Sequence, residues 1–150
     1  MSGTKITCTK VGHTYPNGVQ AIKDVDVTIE QGEVVSVVGQ NGSGKTTLVK
    51  HFNGLLKPTD GDIMIGDLNT RENPVGLLAE KVGYVFQNPN HQIFAASVHE
   101  ELSFGLKNIG LNESEIDKKV TEIADEFLLT EYLELNPYRL GFSLRKTVGM

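Results

Sequence analysis

Residues 39–47, GQNGSGKTT, have the types and spacing of a loop that binds phosphate. Gly39, Gly42, Gly44, Lys45 and Thr46 fit the pattern Gly-x-x-x-x-Gly-Lys-Ser/Thr. Glycines let the backbone curl so that successive N–H groups point at an anion, and a following helix presents its positive end. The lysine reaches the outer phosphates and the next hydroxyl binds Mg²⁺. The pattern predicts a nucleoside triphosphate site made of Gly39, Asn41, Gly42, Ser43, Gly44, Lys45, Thr46 and Thr47.

Two elements must hold this loop in place. The run EVVSVVG, residues 33–39, is β-branched and nearly continuous, which is typical of a strand covered on both faces in the centre of a sheet. Helix-forming residues fill positions 45–53, and Gly54 predicts the end of that helix. The order of strand, glycine-rich loop and helix is the context that phosphate binding requires.

Further strands are predicted on both sides of the loop. Residues 4–11 alternate weakly, whereas residues 23–30 alternate cleanly, as in a half-solvated antiparallel strand. Short strands are also predicted within residues 57–67 and 81–87, each bounded by turn residues. Together with the helices, this order predicts the α/β class.

Two capped helices are predicted in the last third of the chain. Ser97 and Glu100 have the capping-box spacing before residues 98–110, as do Asn112 and Glu115 before the next helix. The second helix carries an apolar stripe that we interpret as core packing. The stripe consists of Ile116, Val120, Ile123, Phe127 and Leu128.

Composition narrows the classes of function. The 150 residues carry a net charge of −5 and no basic block, which argues against nucleic acid as a direct partner. Cys8 is the one cysteine, so it forms no internal disulfide, and we interpret it as a small apolar side chain. The start of the chain lacks the apolar run of a signal peptide, and no apolar run reaches the roughly 20 residues of a membrane span.

Several segments together resemble the nucleotide-binding domain of ABC transporters. They are GQNGSGKTTL, PTDGDIMIGD, VGYVFQNP and the upstream aromatic Tyr15, and the similarity covers essentially the whole chain. The resemblance implies a P-loop core with an N-terminal antiparallel β-subdomain and a helical subdomain, with ATP and Mg²⁺ as ligands. It also implies that Tyr15 stacks on adenine, that Lys45 and Gln87 act in catalysis, and that Thr46 and Gln87 bind Mg²⁺.

Residues 87–111 are similar to the ATPases of energy-coupling factor importers and of cobalt or nickel importers. The similarity implies uptake of a metal ion or vitamin, a second ATPase subunit as partner, and a position on the cytoplasmic face of the membrane. It further implies that a membrane subunit docks on Asn90, His91, Gln92, Ile93 and Phe94. His91 and His99 by themselves indicate surface side chains, since no ligand at metal-site spacing accompanies them.

Residues 140–144 depart from the family pattern. The resemblance implies a signature Leu-Ser-Gly-Gly-Gln that clamps the γ-phosphate of the partner subunit, but these residues read LGFSL. Gly141 replaces the serine, Leu144 replaces the glutamine, and Phe142 adds a ring where the backbone should approach phosphate. We expect this edge not to complete a partner's ATP site in the normal way.

The 150 residues also lack the acidic strand end and the switch histidine that the resemblance implies. We therefore expect a truncated domain, incomplete at its C-terminus, that binds Mg²⁺-ATP without hydrolysing it efficiently alone and exposes sheet edges and apolar core. Its expected parts are a β-rich and P-loop core at about 1–88, a helical subdomain at about 89–140, and a degenerate signature region at 141–150.

Other interpretations remain. A GTPase or small-molecule kinase would share the loop, although the guanine-reading pattern Asn-Lys-x-Asp is absent. A non-catalytic module that binds nucleotide and pairs with an intact ATPase would explain LGFSL. An inactive remnant is a third alternative. None of these residues encodes the transported substrate or the identity of the partner.

Overall fold

The computed structural model describes residues 4–150 of the chain. The chain divides into two compact units, Met1–Tyr84 and Val85–Met150. The first unit consists mainly of strands, with the helix that follows the predicted phosphate loop. The second unit consists mainly of helices. No helix in the described residues is long and apolar enough to cross a bilayer.

A four-stranded antiparallel sheet forms the frame of the first unit. Its strand order is β2-β1-β3-β4, and Cys8 of the central strand β1 lies between Val27 of β2 and Ile63 of β3. The alternation predicted for residues 23–30 is confirmed, because its apolar side chains are half-buried and its polar ones exposed. The strands are β1 (Ile6–Thr14), β2 (Gln20–Ile29), β3 (Asp60–Ile65) and β4 (Leu68–Asn69).

Helix α1 (Lys45–Phe52) packs its last residue into the core of this unit. The predicted end of the helix is confirmed to within one residue, and Gly54 follows it with a φ of 75°. A short helix α2 (Val75–Ala79) supplies Leu78 to the same core. Cys8 is a core residue, and burial, with the charge of Asp26, raises the pKa of its thiol to about 11.

Two predicted strands are wrong as regular structure. Residues 33–39 form no sheet ladder, and Val34 and Val38 are 98% and 86% exposed. Residues 82–86 likewise belong to none of the described strands. A strand exists only when a neighbour accepts and donates its backbone hydrogen bonds, and none of the described strands pairs with residues 33–39. The sequence also predicts that apolar side chains are exposed, and Val34 and Val38 are exposed.

The second unit is built from three helices around one core. They are α3 (Val98–Asn108), α4 (Glu113–Glu126) and α5 (Phe142–Val148), with short 3₁₀ turns at Pro89–His91, Thr130–Tyr132 and Pro137–Arg139. The core consists of Ile93, Val98, Ala124, Leu129, Leu140 and Val148. Residues before α3 and after α4 therefore meet in one apolar cluster.

The predicted caps are confirmed in full for α4 and in half for α3. Asn112 and Glu115 form both bonds of a capping box. Ser97 accepts from the backbone of Glu100, but the Glu100 carboxylate accepts from Ala96 instead of Ser97.

The predicted apolar stripe of α4 is wrong at its end. The helix stops at Glu126, Leu128 takes a φ of 57°, and this turn exposes Phe127 and Leu128. The same turn buries Leu129 in the core.

Candidate functional site

The predicted phosphate loop lies at the start of α1 in the first unit. Gly44 is the residue before the helix, with a φ of 87°, and its carbonyl oxygen accepts the first helical bond from Leu48 at 2.8 Å. No side chain caps this helix start. The backbone N–H groups of Lys45, Thr46 and Thr47 therefore have no intrahelical acceptor and lie at the positive end of α1.

The Lys45 ammonium is held over the loop itself. Its Nζ donates to the carbonyl oxygens of Gly39 and Gln40, at 2.9 Å and 2.8 Å. The loop thus places one positive charge beside a set of N–H donors. That combination is the chemistry that binds a polyphosphate.

Gly44 packs directly against strand β2. A Cβ atom at this position would lie 2.4 Å from the carbonyl oxygen of Ala21, which no side chain tolerates. The close approach fixes the start of α1 on the sheet. Beside it lies a cavity of about 280 Å³ whose apolar wall is formed by Val25, Val37, Val38 and Leu48.

Tyr15 and Thr47 are brought together although 32 residues separate them. The Tyr15 hydroxyl is 3.0 Å from the Thr47 hydroxyl oxygen, and either group can donate. Thr47 is buried while its neighbour Thr46 is exposed. The predicted adenine aromatic and the predicted phosphate loop are therefore adjacent in the first unit.

The predicted Mg²⁺ ligands fit the ion's usual chemistry. Mg²⁺ is commonly held by one or two protein oxygens together with substrate phosphates and water. Thr46 offers an exposed hydroxyl at the start of α1. No cluster of three or more His, Cys, Asp or Glu that could hold a metal occurs in residues 4–150. Gln87 is exposed in the second unit, and its role in binding Mg²⁺ remains a prediction.

The predicted membrane-partner segment lies in the second unit. Asn90, His91 and Phe94 are exposed, and the Phe94 ring contacts Phe104 edge-on with centroids 4.7 Å apart. Ile93 differs from the expectation, because it is 3% exposed and belongs to the core. The expectation came from the resemblance to importer ATPases, which was carried over to the whole segment 90–94 without regard to which side chains are buried.

Arg145 of α5 connects this segment, through hydrogen bonds, to the residues just before α5. Its guanidinium donates to the Asn90 side chain at 2.7 Å, to Tyr138 O at 3.0 Å and to Leu140 O at 2.8 Å. It also lies 5.4 Å from the centroid of the Tyr138 ring. Gln92 adds a second tie, since its side chain donates to the Gly149 carbonyl oxygen.

The residues of LGFSL lead into α5 and begin it. Leu140 is buried, Gly141 is the residue before the helix, and no side chain caps it. Phe142 is 61% exposed in the first helical position. The aromatic ring that the sequence predicted at this edge is therefore exposed on the surface of the second unit.

Sequence reasoning missed two histidines beside the loop. His13 and His51 are 7% and 0% exposed, and they contact each other next to Tyr15 and Thr47. The available signal was that His51 falls inside the helix predicted at residues 45–53, whereas His13 lies just after the strand predicted at residues 4–11. Their separation of 38 residues concealed the contact.

Comparisons with known proteins match the loop and its surroundings to one family. A family profile described as ABC transporter matches residues 22–144. An energy-coupling factor transporter ATP-binding protein, EcfA, of Methanosphaera stadtmanae is 39% identical over 140 residues, covering 92% of this chain and 50% of that protein. A putative ABC transporter ATP-binding protein of Pyrococcus horikoshii is 44% identical over 127 residues, covering 85% and 48%. The chain spans about half the length of these relatives.

Solved structures agree with these relatives. The chain superposes on cbiO1 of Clostridium perfringens, part of the ABC transporter complex cbiONQ, with a TM-score of 0.81 and 34% identity, covering 96% of this chain and 58% of that one. It superposes on a dimeric ATP-binding cassette bound to ADP and Pi with a TM-score of 0.83 and 27% identity, covering 96% and 66%. The predicted α/β fold is confirmed. Profile, relatives and structures agree, and the chain belongs to the ABC transporter family of ATP-binding proteins.

Proposed function

We propose that this chain is the N-terminal part of an ABC importer ATPase that binds Mg²⁺-ATP and energises uptake of a metal ion or a vitamin. The observation that carries the proposal is the loop before α1, where uncapped N–H groups and the Lys45 ammonium face the same space. The similarity to EcfA and cbiO1 supports the importer class. No residue of the chain identifies the transported substrate.

Each residue of the site has a role in binding. The N–H groups at the start of α1 and Lys45 bind the β- and γ-phosphates, and Tyr15 provides a flat face for adenine. Thr46, with Gln87, holds Mg²⁺, which neutralises phosphate charge when bound. Asn41 and Ser43 complete the curve of the loop. In catalysis, Lys45 stabilises charge on the transferred phosphate and Gln87 responds to it.

The proposed partners are a second ATPase subunit and a membrane subunit. The membrane subunit docks near Asn90–Phe94, where Phe94 and Phe104 present an exposed aromatic pair. Aromatic residues with polar neighbours are typical of the centres of protein interfaces. Docking there places the chain at the cytoplasmic face of the membrane as a peripheral subunit.

We expect the 150 residues alone to bind Mg²⁺-ATP without efficient hydrolysis. Turnover needs a positioned water and a carboxylate that orients it, and neither the phosphate loop nor LGFSL supplies that carboxylate. A coupled ATPase assay on the purified chain checks this expectation. Rapid, Mg²⁺-dependent phosphate release that Lys45→Ala abolishes would contradict it.

Equilibrium calorimetry tests the binding proposal. Lys45→Ala removes the ammonium that faces the phosphates, and we expect Mg²⁺-ATP affinity to fall by about tenfold or more, since charge-assisted bonds contribute about 1.5–3 kcal/mol. Lys50→Ala, on the same helix but away from the loop, is the matched control and should bind as the wild type does. Equal affinity in wild type and Lys45→Ala would refute the site.

A second candidate is a non-catalytic module that binds nucleotide and pairs with an intact ATPase. The exposed Phe142 at the start of α5 favours it, because a ring there blocks close approach of phosphate to the backbone. Both candidates pair with a second ATPase, so sedimentation with an intact energy-coupling ATPase and Mg²⁺-ATP tests the pairing, and the turnover of the pair distinguishes the two. A stable mixed pair whose turnover rises on Phe142→Gly supports the module, and a chain that never pairs contradicts it.

A further inference from the structure

Two buried histidines lie between strand β1 and helix α1 of the first unit. His51 is fully buried and His13 nearly so. The two rings meet edge to face, with centroids 4.7 Å apart. Burying two imidazoles is costly unless they are hydrogen-bonded, so their partners define their state.

The hydrogen bonds assign His51 as neutral and show which ring nitrogen of His13 donates. His51 Nδ1 is 2.6 Å from the Thr47 carbonyl oxygen, which can only accept, so this nitrogen carries hydrogen. His13 Nδ1 is 3.1 Å from Lys57 O and 3.1 Å from His51 Nε2, and by the same argument it donates. His51 Nε2 is then the acceptor, and His13 Nε2 is buried without a partner. A proton added to His13 Nε2 would find no hydrogen-bond acceptor, and one added to His51 Nε2 would face the N–H group of His13.

The same cluster reaches both ends of the nucleotide site. The His13 ring contacts the Tyr15 ring edge-on with centroids 4.7 Å apart, and the Tyr15 hydroxyl lies 3.0 Å from the Thr47 hydroxyl. His51 holds the carbonyl group of that same Thr47. One hydrogen-bonded cluster therefore joins the proposed adenine aromatic to the phosphate loop.

We propose that His13 and His51 are positioning residues of the nucleotide site, which as a neutral hydrogen-bonded pair hold Tyr15 against Thr47 and which, on protonation, weaken nucleotide binding. The inference rests on the proposed function, since it needs ATP to bind at this loop. The pair touches no phosphate itself. It acts through Tyr15 and Thr47.

The surroundings of the pair contain no counter-charge in hydrogen-bond contact. From the segment after α1, Lys57 presents its carbonyl oxygen, while its ammonium donates to Thr70 O and Asn73 O. Tyr15, the residue after β1, presents its ring, and the Asp60 carboxylate of β3 accepts from Thr59 instead. No ion pair among the described residues includes His13 or His51.

The direction of the pH effect follows from burial. Burial lowers the pKa of His51 below its usual 6.5, and the neighbouring His13 lowers it further, against the opposing bond to Thr47. A loosened site therefore takes up the proton more readily than the intact one. Nucleotide affinity is full above about pH 6.5 and declines as the pH falls below it.

Two asparagine variants separate positioning from a merely structural role. His51→Asn and His13→Asn can each keep a donor to the same carbonyl oxygen, but neither takes up a proton or supplies a ring. Calorimetry would measure affinity for Mg²⁺-ATP and for Mg²⁺-tripolyphosphate, which lacks adenine, between about pH 5.5 and pH 8. Each ligand titrates in the same way whichever variant is measured. A difference between variants in how affinity changes with pH therefore comes from the protein.

The expected results differ between the variants. The wild type should lose more Mg²⁺-ATP affinity on acidification than His51→Asn does, by up to about tenfold at about pH 5.5. His13→Asn should weaken Mg²⁺-ATP binding by about threefold or more at neutral pH, through the lost ring contact, and leave tripolyphosphate binding unchanged. His99→Asn, a half-exposed histidine of the second unit, is the matched control and should keep the wild-type profile.

Each outcome decides the inference. Variants with wild-type affinity and pH profile for both ligands would overturn it while leaving the proposed function intact. Failure of the wild type to bind Mg²⁺-ATP at any pH would overturn the proposed function and this inference with it. If circular dichroism shows His51→Asn to be unfolded, the comparison of the two ligands in His13→Asn decides alone.

Discussion

Gly42 and Gly44 have nearly the same φ angle but different surroundings. Their φ angles are 84° and 87°, a region that disfavours any residue with a Cβ atom. A Cβ on Gly42 would meet nothing within 4 Å, whereas one on Gly44 would lie 2.4 Å from Ala21 O. The pattern of the loop predicted both glycines, but it could not say which of them the sheet requires.

The two glycines should therefore respond differently to alanine. Gly42→Ala should cost about 1 kcal/mol of unfolding free energy, from backbone strain alone. Gly44→Ala should cost several times as much and abolish Mg²⁺-ATP binding, because the loop must leave β2 to relieve the clash. Urea unfolding and calorimetry on both variants check this. Equal costs would mean that the contact with Ala21 does not constrain the loop.

Among the elements, the helix ends show what local sequence can predict. The capping box of Asn112 and Glu115 lies within four residues, so its pattern was sufficient to place the start of α4. The end of α4 was missed, because the turn at Leu128 depends on burying Leu129 in a core drawn from distant residues. The spacing of apolar residues along the chain does not by itself indicate such a turn.

Leu128→Gly should stabilise the chain, which is unusual for a glycine substitution. Leu128 is 81% exposed and holds a left-handed φ of 57°, which costs a branched residue about 1–2 kcal/mol. Glycine removes that cost but adds about 0.5–1 kcal/mol of chain entropy in the unfolded state. The expected net gain in unfolding free energy, measured by urea unfolding, is up to about 1.5 kcal/mol.

Phe127→Gly is the matched control for Leu128→Gly. Phe127 is the preceding residue and has an ordinary φ of −99°. Glycine there brings the entropy cost without relieving any strain, so it should lower the unfolding free energy. A loss of stability in both variants would show that Leu128 is not strained.

For the whole molecule, the sequence predicted the α/β fold because the fold follows from local patterns and from a family resemblance. It also predicted the turn of glycines before α1, whose binding of phosphate stays a prediction. It did not predict the contact of His13 with His51, or the burial of Ile93, because these depend on residues distant in the chain. The strand expected at residues 33–39 failed for a related reason. Apolar character alone does not make a strand, since its backbone groups need a neighbour.

The exposed valines predict association of the purified chain. Residues 34–38 combine high β-propensity, no charge and no sheet partner, which is a pattern that promotes pairing between chains. Sedimentation velocity should show concentration-dependent self-association, and replacing Val34 and Val38 together by Lys should reduce it. The control pair, Val19→Lys and Ile109→Lys, also removes exposed apolar side chains and should not. A monomeric wild type at high concentration would contradict the prediction.

The guanidinium of Arg145 has a mechanical consequence for the second unit. It is bonded at once to the Asn90 side chain and to the backbone just before α5, and Tyr138 covers it. A rigid planar group with several fixed bonds transmits displacement rather than absorbing it. A displacement of the surface around Asn90 is therefore transmitted to the start of α5 through the single side chain of Arg145.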